Sequence, residues 1–225
     1  MDLSNWTPPP TPPRAPLQGR YATLEPLEQA HTADLWAAQA PEIWRYIPVG
    51  PFDTEVDLAG WVDQVRTAPD PLQFAVRMAD GRVGGTLSIM RIQPAAGSIE
   101  VGYIVFTPRL QNTREATEAI YLTMKWAFQS GYRRFEWKCD AANLPSRRAA
   151  QRLGLSFEGI FRQAAIVKGR NRDTAWFAAI DREWPALNAA FEAWLSPDNF
   201  DQAQQQKTRL SDLTADILVA RDPGV

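Results

Sequence analysis

Along residues 135–140, apolar and charged positions alternate: Phe135, Trp137 and Cys139 against Glu136, Lys138 and Asp140. A period of two predicts a half-buried strand. Directly after it the pattern turns helical. Asn143 is a strong N-cap type, Pro145 fits a first helical turn, and Ala149, Ala150 and Leu153 carry the helix to Gly154. Upstream, residues 21–24 predict a strand and 28–39 a helix. A second helix is predicted over 54–67, with Asp53 as its cap and Leu58, Trp61, Val62 and Val65 on one face. Residues 73–79 and 83–92 read as strands around the hairpin signal Asp80-Gly81. A third strand, 98–106, follows a turn at Ala96-Gly97. Residues 114–130 form a long amphipathic helix ended by Gly131. A closing hairpin over 157–168 and 174–180 turns around Gly169-Arg170-Asn171, and a last helix spans 184–195.

Hairpins mixed with single crossovers predict an α+β fold, a mixed sheet with helices on its faces rather than a doubly wound one. Residues 1–18 hold Pro8, Pro9, Pro10, Pro12, Pro13 and Pro16 and read as an extended arm lying along the surface. Residues 19–195 make one domain. From 196 to 225 the chain turns polar, although Leu210, Leu213, Ile217 and Leu218 keep helical spacing. This end is expected to be a mobile tail or a helix docking on a partner subunit.

Composition narrows the function. The 225 residues carry a net charge of −2, so no basic field favours nucleic acid. A single cysteine and a single histidine argue against a disulfide and a zinc site. No apolar run reaches membrane-spanning length and the N-terminus lacks a signal-peptide pattern, which leads to the expectation of a cytoplasmic protein without a membrane partner.

Three places offer chemistry. The junction at 139–146 aims the Asn143 amide and the Ser146 hydroxyl above a strand's carboxyl end, where open α/β sheets place ligands. The 98–106 strand is apolar on both sides, with Ile99, Val101, Tyr103 and Val105 on one face and Ile104 and Phe106 on the other. Glu100 at its start, beside Gly102, is either a carboxylate brought to a ligand or one facing water at the strand's end. Between this strand and the long helix, a helix N-terminus flanked by Arg109 and Arg114 suits a phosphate or pyrophosphate, or is a plain capped helix with solvated arginines. Cys139 reads as a small buried hydrophobe.

Taken in order, the stretches Ile99-Glu100-Val101-Gly102-Tyr103, Gln111 through Ala119, Asn143-x-x-Ser146-x-x-Ala149 and Leu153-Gly154-Leu155-x-Phe157-Glu158-Gly159, with the closing hairpin, resemble the GNAT N-acetyltransferase superfamily. The similarity is to its RimJ/RimL-like branch and covers residues 19–184. It implies a central, mostly antiparallel sheet of about seven strands, flanked by helices and splayed between the fourth and fifth, with acetyl-CoA in the opening. Ile104 and Phe106 on the bulged fourth strand would contact the pantetheine through their backbone. The loop Gln111-Asn112-Thr113-Arg114-Glu115-Ala116 would hold the pyrophosphate.

In that loop Asn112 and Arg114 stand where the branch usually has glycine. Asn tolerates a left-handed backbone and Arg lacks glycine's freedom. Either Arg114 bonds a phosphate through its side chain or the chain binds CoA less well; the rest of the pattern favours retention. The resemblance further implies Glu100 as the base acting on an amine and Ser146 as the group hydrogen-bonding the thioester sulfur, with Tyr103 as an alternative. Asn143 would fix the cofactor's amide arm. The reading is acetyl transfer to a small-molecule or peptide amine, or a protein N-terminus, with no metal and with homodimerisation by analogy. The alternative is a non-catalytic acyl-CoA-binding or interaction module. The charged turn at 168–173 and the aromatics Trp36, Trp44, Tyr46, Phe52 and Trp61 are candidate acceptor walls; a solvated turn and core packing are the plainer readings.

Overall fold

A computed structural model describes residues 2–225. Its strands are β1 (Leu17–Gln18), β2 (Ala22–Pro26), β3 (Leu72–Met78), β4 (Val83–Gln93), β5 (Ser98–Phe106), β6 (Arg134–Asp140), β7 (Ser156–Val167) and β8 (Arg170–Ile180). They form one sheet in the order β1-β2-β3-β4-β5-β6-β8-β7. The eighth strand is the two-residue β1, which the proline-rich arm adds beside β2. All pairings are antiparallel except β5 with β6. A parallel neighbour requires a crossover, and α3 (Arg114–Gln129) supplies it.

Alternation along the strands builds two cores. Phe74 and Val76 of β3 enter the larger one, with α3, α4 (Leu144–Arg152) and α5 (Trp184–Leu195) on that face. Ala75, between them, enters a smaller core under α1 (Thr32–Ala38) and α2 (Glu55–Val65). The cap of α2 is Thr54 rather than Asp53: its side chain accepts from the Asp57 amide while Asp57 reaches back, a reciprocal box. The hairpin turn lies one residue earlier than predicted. Lys168 and Gly169 both have positive φ, 51° and 72°, between the paired Val167 and Arg170, which is the two-residue turn that matches strand twist.

One expectation about β5 is overturned. Ile99 and Val101 enter the larger core but Val105 enters the smaller one. The registers Ser88↔Gly102 and Thr86↔Val105 leave one extra residue on β5, and Tyr103 sits there at φ 46°. A bulge of this kind turns the rest of the strand over.

Both ends of the chain pack on the domain. In the arm, Tyr132 Oη donates to Pro10 O at 3.1 Å and an Arg14 guanidinium nitrogen to Ala68 O at 2.7 Å. Where the arm enters β2, the buried Glu118 of α3 accepts from the amides of Arg20, Tyr21 and Ala22 at 2.6–2.8 Å. The C-terminal segment packs on the domain of its own chain. Leu210 of α6 (Leu210–Thr214) is fully buried in the larger core. Val219 N and Ala220 O bond to Ser156 and Phe157 at the start of β7. Arg147 of α4 makes two bonds, 2.7 and 2.5 Å, to Asp222, and both residues are buried.

Breaking that pair leaves a buried charge unmatched, so Asp222→Ala is expected to cost about 3–5 kcal/mol in urea unfolding. Burial pushes the Asp222 carboxyl up, but the Arg147 bonds outweigh it and the net shift is downward. A folded-state value below the unfolded one gives stability present at neutral pH and lost as pH falls through the folded value. The gap between wild type and Asp222→Ala should therefore be constant near neutrality and close below about pH 4. A gap that persists at lower pH would contradict this.

Candidate active site

The parallel pairing of β5 and β6 runs from Ser98↔Arg134 to Val101↔Trp137 and stops. Beyond it, β5 keeps β4 and β6 keeps β8, but their facing edges part. Unpaired edge groups in a sheet interior need an acceptor or donor from elsewhere, so the gap is built to receive an extended polar chain. The left-handed Tyr103 stands at its opening, where an aromatic residue is strained. Ile104 and Phe106 follow it, half-buried against the larger core. The Phe106 carbonyl already accepts from the Gln111 side-chain amide at 2.8 Å.

One wall is the β6–α4 junction, which forms as its residues predict. Asn143 caps α4, its Oδ1 accepting from the Ser146 amide at 3.2 Å. Ser146 Oγ accepts from the Trp137 indole N–H at 3.0 Å. Its own O–H is left as the donor, with the Cys139 sulfur as a nearby partner. Burial pushes the neighbouring Cys139 thiol up, and a hydrogen bond with Ser146 opposes the shift.

In the loop before α3, Asn112, Thr113 and Arg114 each take a different role. Asn112 takes the left-handed conformation, φ 60°. Thr113 caps the helix, accepting from the Ala116 amide at 3.1 Å. Arg114 is the first helical residue, so no glycine-like backbone is asked of it. Its guanidinium lies 4.5 Å from the centroids of both the Tyr21 and Phe200 rings and donates to Gln204 at 2.6 Å. Arg109 pairs with Asp80. Both arginines therefore have partners within the chain. The first-turn amides of Arg114 and Glu115 have no partner within the helix.

Glu100 is not a solvated strand end. It is 4 % exposed, on the sheet face opposite Ile99 and Val101. Lys138 Nζ lies 3.0 Å and Arg91 Nε 3.1 Å from the same oxygen, Oε2. Lys138 also meets Glu136 at 2.6 Å and sits 3.8 Å above the Trp176 ring centroid. Arg134 continues the row to Glu136 and Glu158. Burial raises the Glu100 carboxyl, and Lys138 and Arg91 offset only part of that rise. Thus Glu100 and Ser146 border the same gap from opposite faces of the sheet. Lys138, Arg91 and Trp137 complete the site, and sequence reading passed over them. The signal was present: Glu136 and Lys138 alternate in phase with the neighbouring Glu100, with opposite charges available to pair.

Over the Glu100 face runs the segment between α1 and α2. Tyr46 Oη donates to Ala142 O at 3.3 Å, at the β6–α4 junction. Lys168 at the hairpin tip donates to Trp44 O and Val49 O, 2.9 and 3.1 Å. Lys168 thus ties the turn to that loop, while Lys168, Gly169, Arg170 and Asn171 stay exposed, as a solvated turn would be. Trp44, Phe52 and Trp61 pack edge-on or tilted at 5.1–5.9 Å in the smaller core; Tyr46 lies outside both cores and reaches the β6–α4 junction by its hydrogen bond.

Residues 22–156 match the acetyltransferase (GNAT) domain family. A crystal structure of a GCN5-related N-acetyltransferase from Brucella melitensis is 48 % identical, covering 95 % of this chain and all of that one, with a TM-score of 0.92. The uncharacterized N-acetyltransferase YnaD of Bacillus subtilis (strain 168) is 28 % identical over 63 % of this chain and 82 % of its own. RimL, a ribosomal L7/L12 alpha-N-protein acetyltransferase, is 18 % identical over 73 % of this chain and 93 % of that one, at a TM-score of 0.64, a likeness of fold alone. With its splayed sheet and this match over more than half its length, the chain belongs to the GNAT family of N-acetyltransferases.

Proposed function

We propose that the chain moves the acetyl group of acetyl-CoA to a primary amine by direct attack, with both substrates bound at once. The parted β5–β6 edge, with a buried carboxylate on one face and a serine hydroxyl on the other, is the observation that carries this reading. Acetyl-CoA supplies the thioester. Free edge groups near Ile104 and Phe106 suit its amide arm, and Asn112, Thr113 and the α3 amides suit its pyrophosphate through backbone alone.

In the transfer, the amine nitrogen bonds to the thioester carbon and the carbon–sulfur bond breaks. Glu100 takes the proton that the amine gives up, directly or through water. A raised carboxyl is the better base for an ammonium-derived proton near neutral pH. The departing thiolate needs a proton or a donor, and Ser146, already holding the Trp137 N–H as acceptor, offers its O–H there. The acceptor enters on the Glu100 face, beneath Tyr46 and the hairpin strap. A small or peptide amine is preferred to a ribosomal protein surface, because the net charge of −2 gives no steering toward one. Membership of the RimJ/RimL branch, a homodimer and a cytoplasmic location belong to this proposal by analogy alone.

Glu100→Gln is expected to lower turnover about 100-fold or more while leaving acetyl-CoA affinity unchanged; thiol release with an amine panel measures it, and unaltered turnover removes Glu100 as base. In the wild type, kcat/KM should fall on the acid side at a pH above the ordinary glutamate range, since the base works only when deprotonated and burial raises it. Ser146→Ala should lower kcat about tenfold with little change in the KM for acetyl-CoA; an equal loss in KM instead would assign Ser146 to binding. Arg114→Ala should leave CoA affinity within about twofold in calorimetry and lower stability by about 1 kcal/mol, the loss of its ring contacts. A tenfold loss of affinity would restore the side-chain phosphate contact.

A further inference from the structure

Six charges cross the open face of the sheet in alternating sign: Arg91 on β4, Glu100 on β5, Lys138, Glu136 and Arg134 on β6, and Glu158 on β7. At its centre Lys138 is only 7 % exposed in its side chain. Burying a lysine is costly unless it is closely paired, and an apolar side chain there is often at least as stabilising. Its placement between two carboxylates and above an indole suggests a role other than stability.

The geometry at Glu100 supplies one. Lys138 and Arg91 both lie within ion-pair distance of Oε2, which is buried and takes no well-directed hydrogen bond from either, while Oε1 carries neither ion pair. Oε1 is turned toward Gly102: a Cβ built there would lie 3.4 Å from it. Gly102 precedes Tyr103, the bulge at which β5 and β6 part. We propose that Lys138 is the positioning residue of the base, holding Glu100 by Oε2 so that Oε1 is presented to the gap as an anion. Glu136 and Trp176 fix the ammonium from its other sides. The groups facing Glu100 are thus Arg91 from β4, Glu136 and Lys138 from β6, and Lys138 is the buried cation among them. This rests on the reading of Glu100 as base, and its test separates the two.

Titration of the Glu100 carboxyl carbon by NMR, in protein labelled at glutamate and assigned through Glu100→Gln, needs no acceptor. In Lys138→Met the midpoint should rise by about one pH unit or more, and Lys138→Arg should return it toward wild type. With acetyl-CoA and an amine that supports turnover, the acid limb of kcat/KM should move by the same amount in Lys138→Met. Should that variant not fold, Lys138→Gln carries the same expectation. An unshifted Glu100 midpoint in a folded Lys138→Met or Lys138→Gln protein overturns the inference while leaving the base reading intact. A shifted midpoint with full turnover in Glu100→Gln would instead remove the base reading and leave Lys138 as a partner of a carboxylate without that role.

Discussion

The end of pairing between β5 and β6 after Val101↔Trp137 is the constraint on which the remainder depends. Two neighbouring strands of a twisted sheet separate only if something prevents their ladder from continuing. Here Tyr103, held at φ 46°, adds a residue to β5 and turns its second half over. The strand stays attached to β4, so the disruption falls on the β6 side. Backbone groups are exposed there in the middle of the molecule, where they are costly unless a ligand completes them. The strain of an aromatic residue in the left-handed region is of the kind found where function requires it.

Two different solvents meet at this gap. On the α3 side, Trp137 and Cys139 belong to the larger core and Ser146 is held by an indole, a mostly apolar setting with few polar groups. On the other side, α1 and α2 cover only part of the sheet, and a neutral chain of three cations and three anions occupies the area near Glu100. The bulge sets these unlike surroundings on either side of one strand pair, which suits the proposed meeting of a thioester and an amine.

Much of the fold is legible because it is local. The limits of β5 and α5 follow from periodicity alone, and Asn143 caps α4 as its type predicts. Errors gather where a distant partner decides. Thr54 displaces Asp53 as a cap because Asp57 can complete its box. Arg114 and Arg109 look free in sequence, but Tyr21, Phe200, Gln204 and Asp80, all distant along the chain, contact them. The polar C-terminal stretch looks mobile until Asp222 finds Arg147.

By itself, the sequence determined the order of strands and helices from β2 to α5, the junction carrying Asn143 and Ser146, and the presence of a carboxylate at Glu100, because each depends on periodicity, capping or residue type within a few positions. The tertiary structure decided which face Val105 takes, whether Glu100 meets water or Lys138, and where the arginines near α3 are held. Those outcomes depend on an extra residue in a ladder and on ion pairs between strands, which bring together positions that spacing along a chain does not connect.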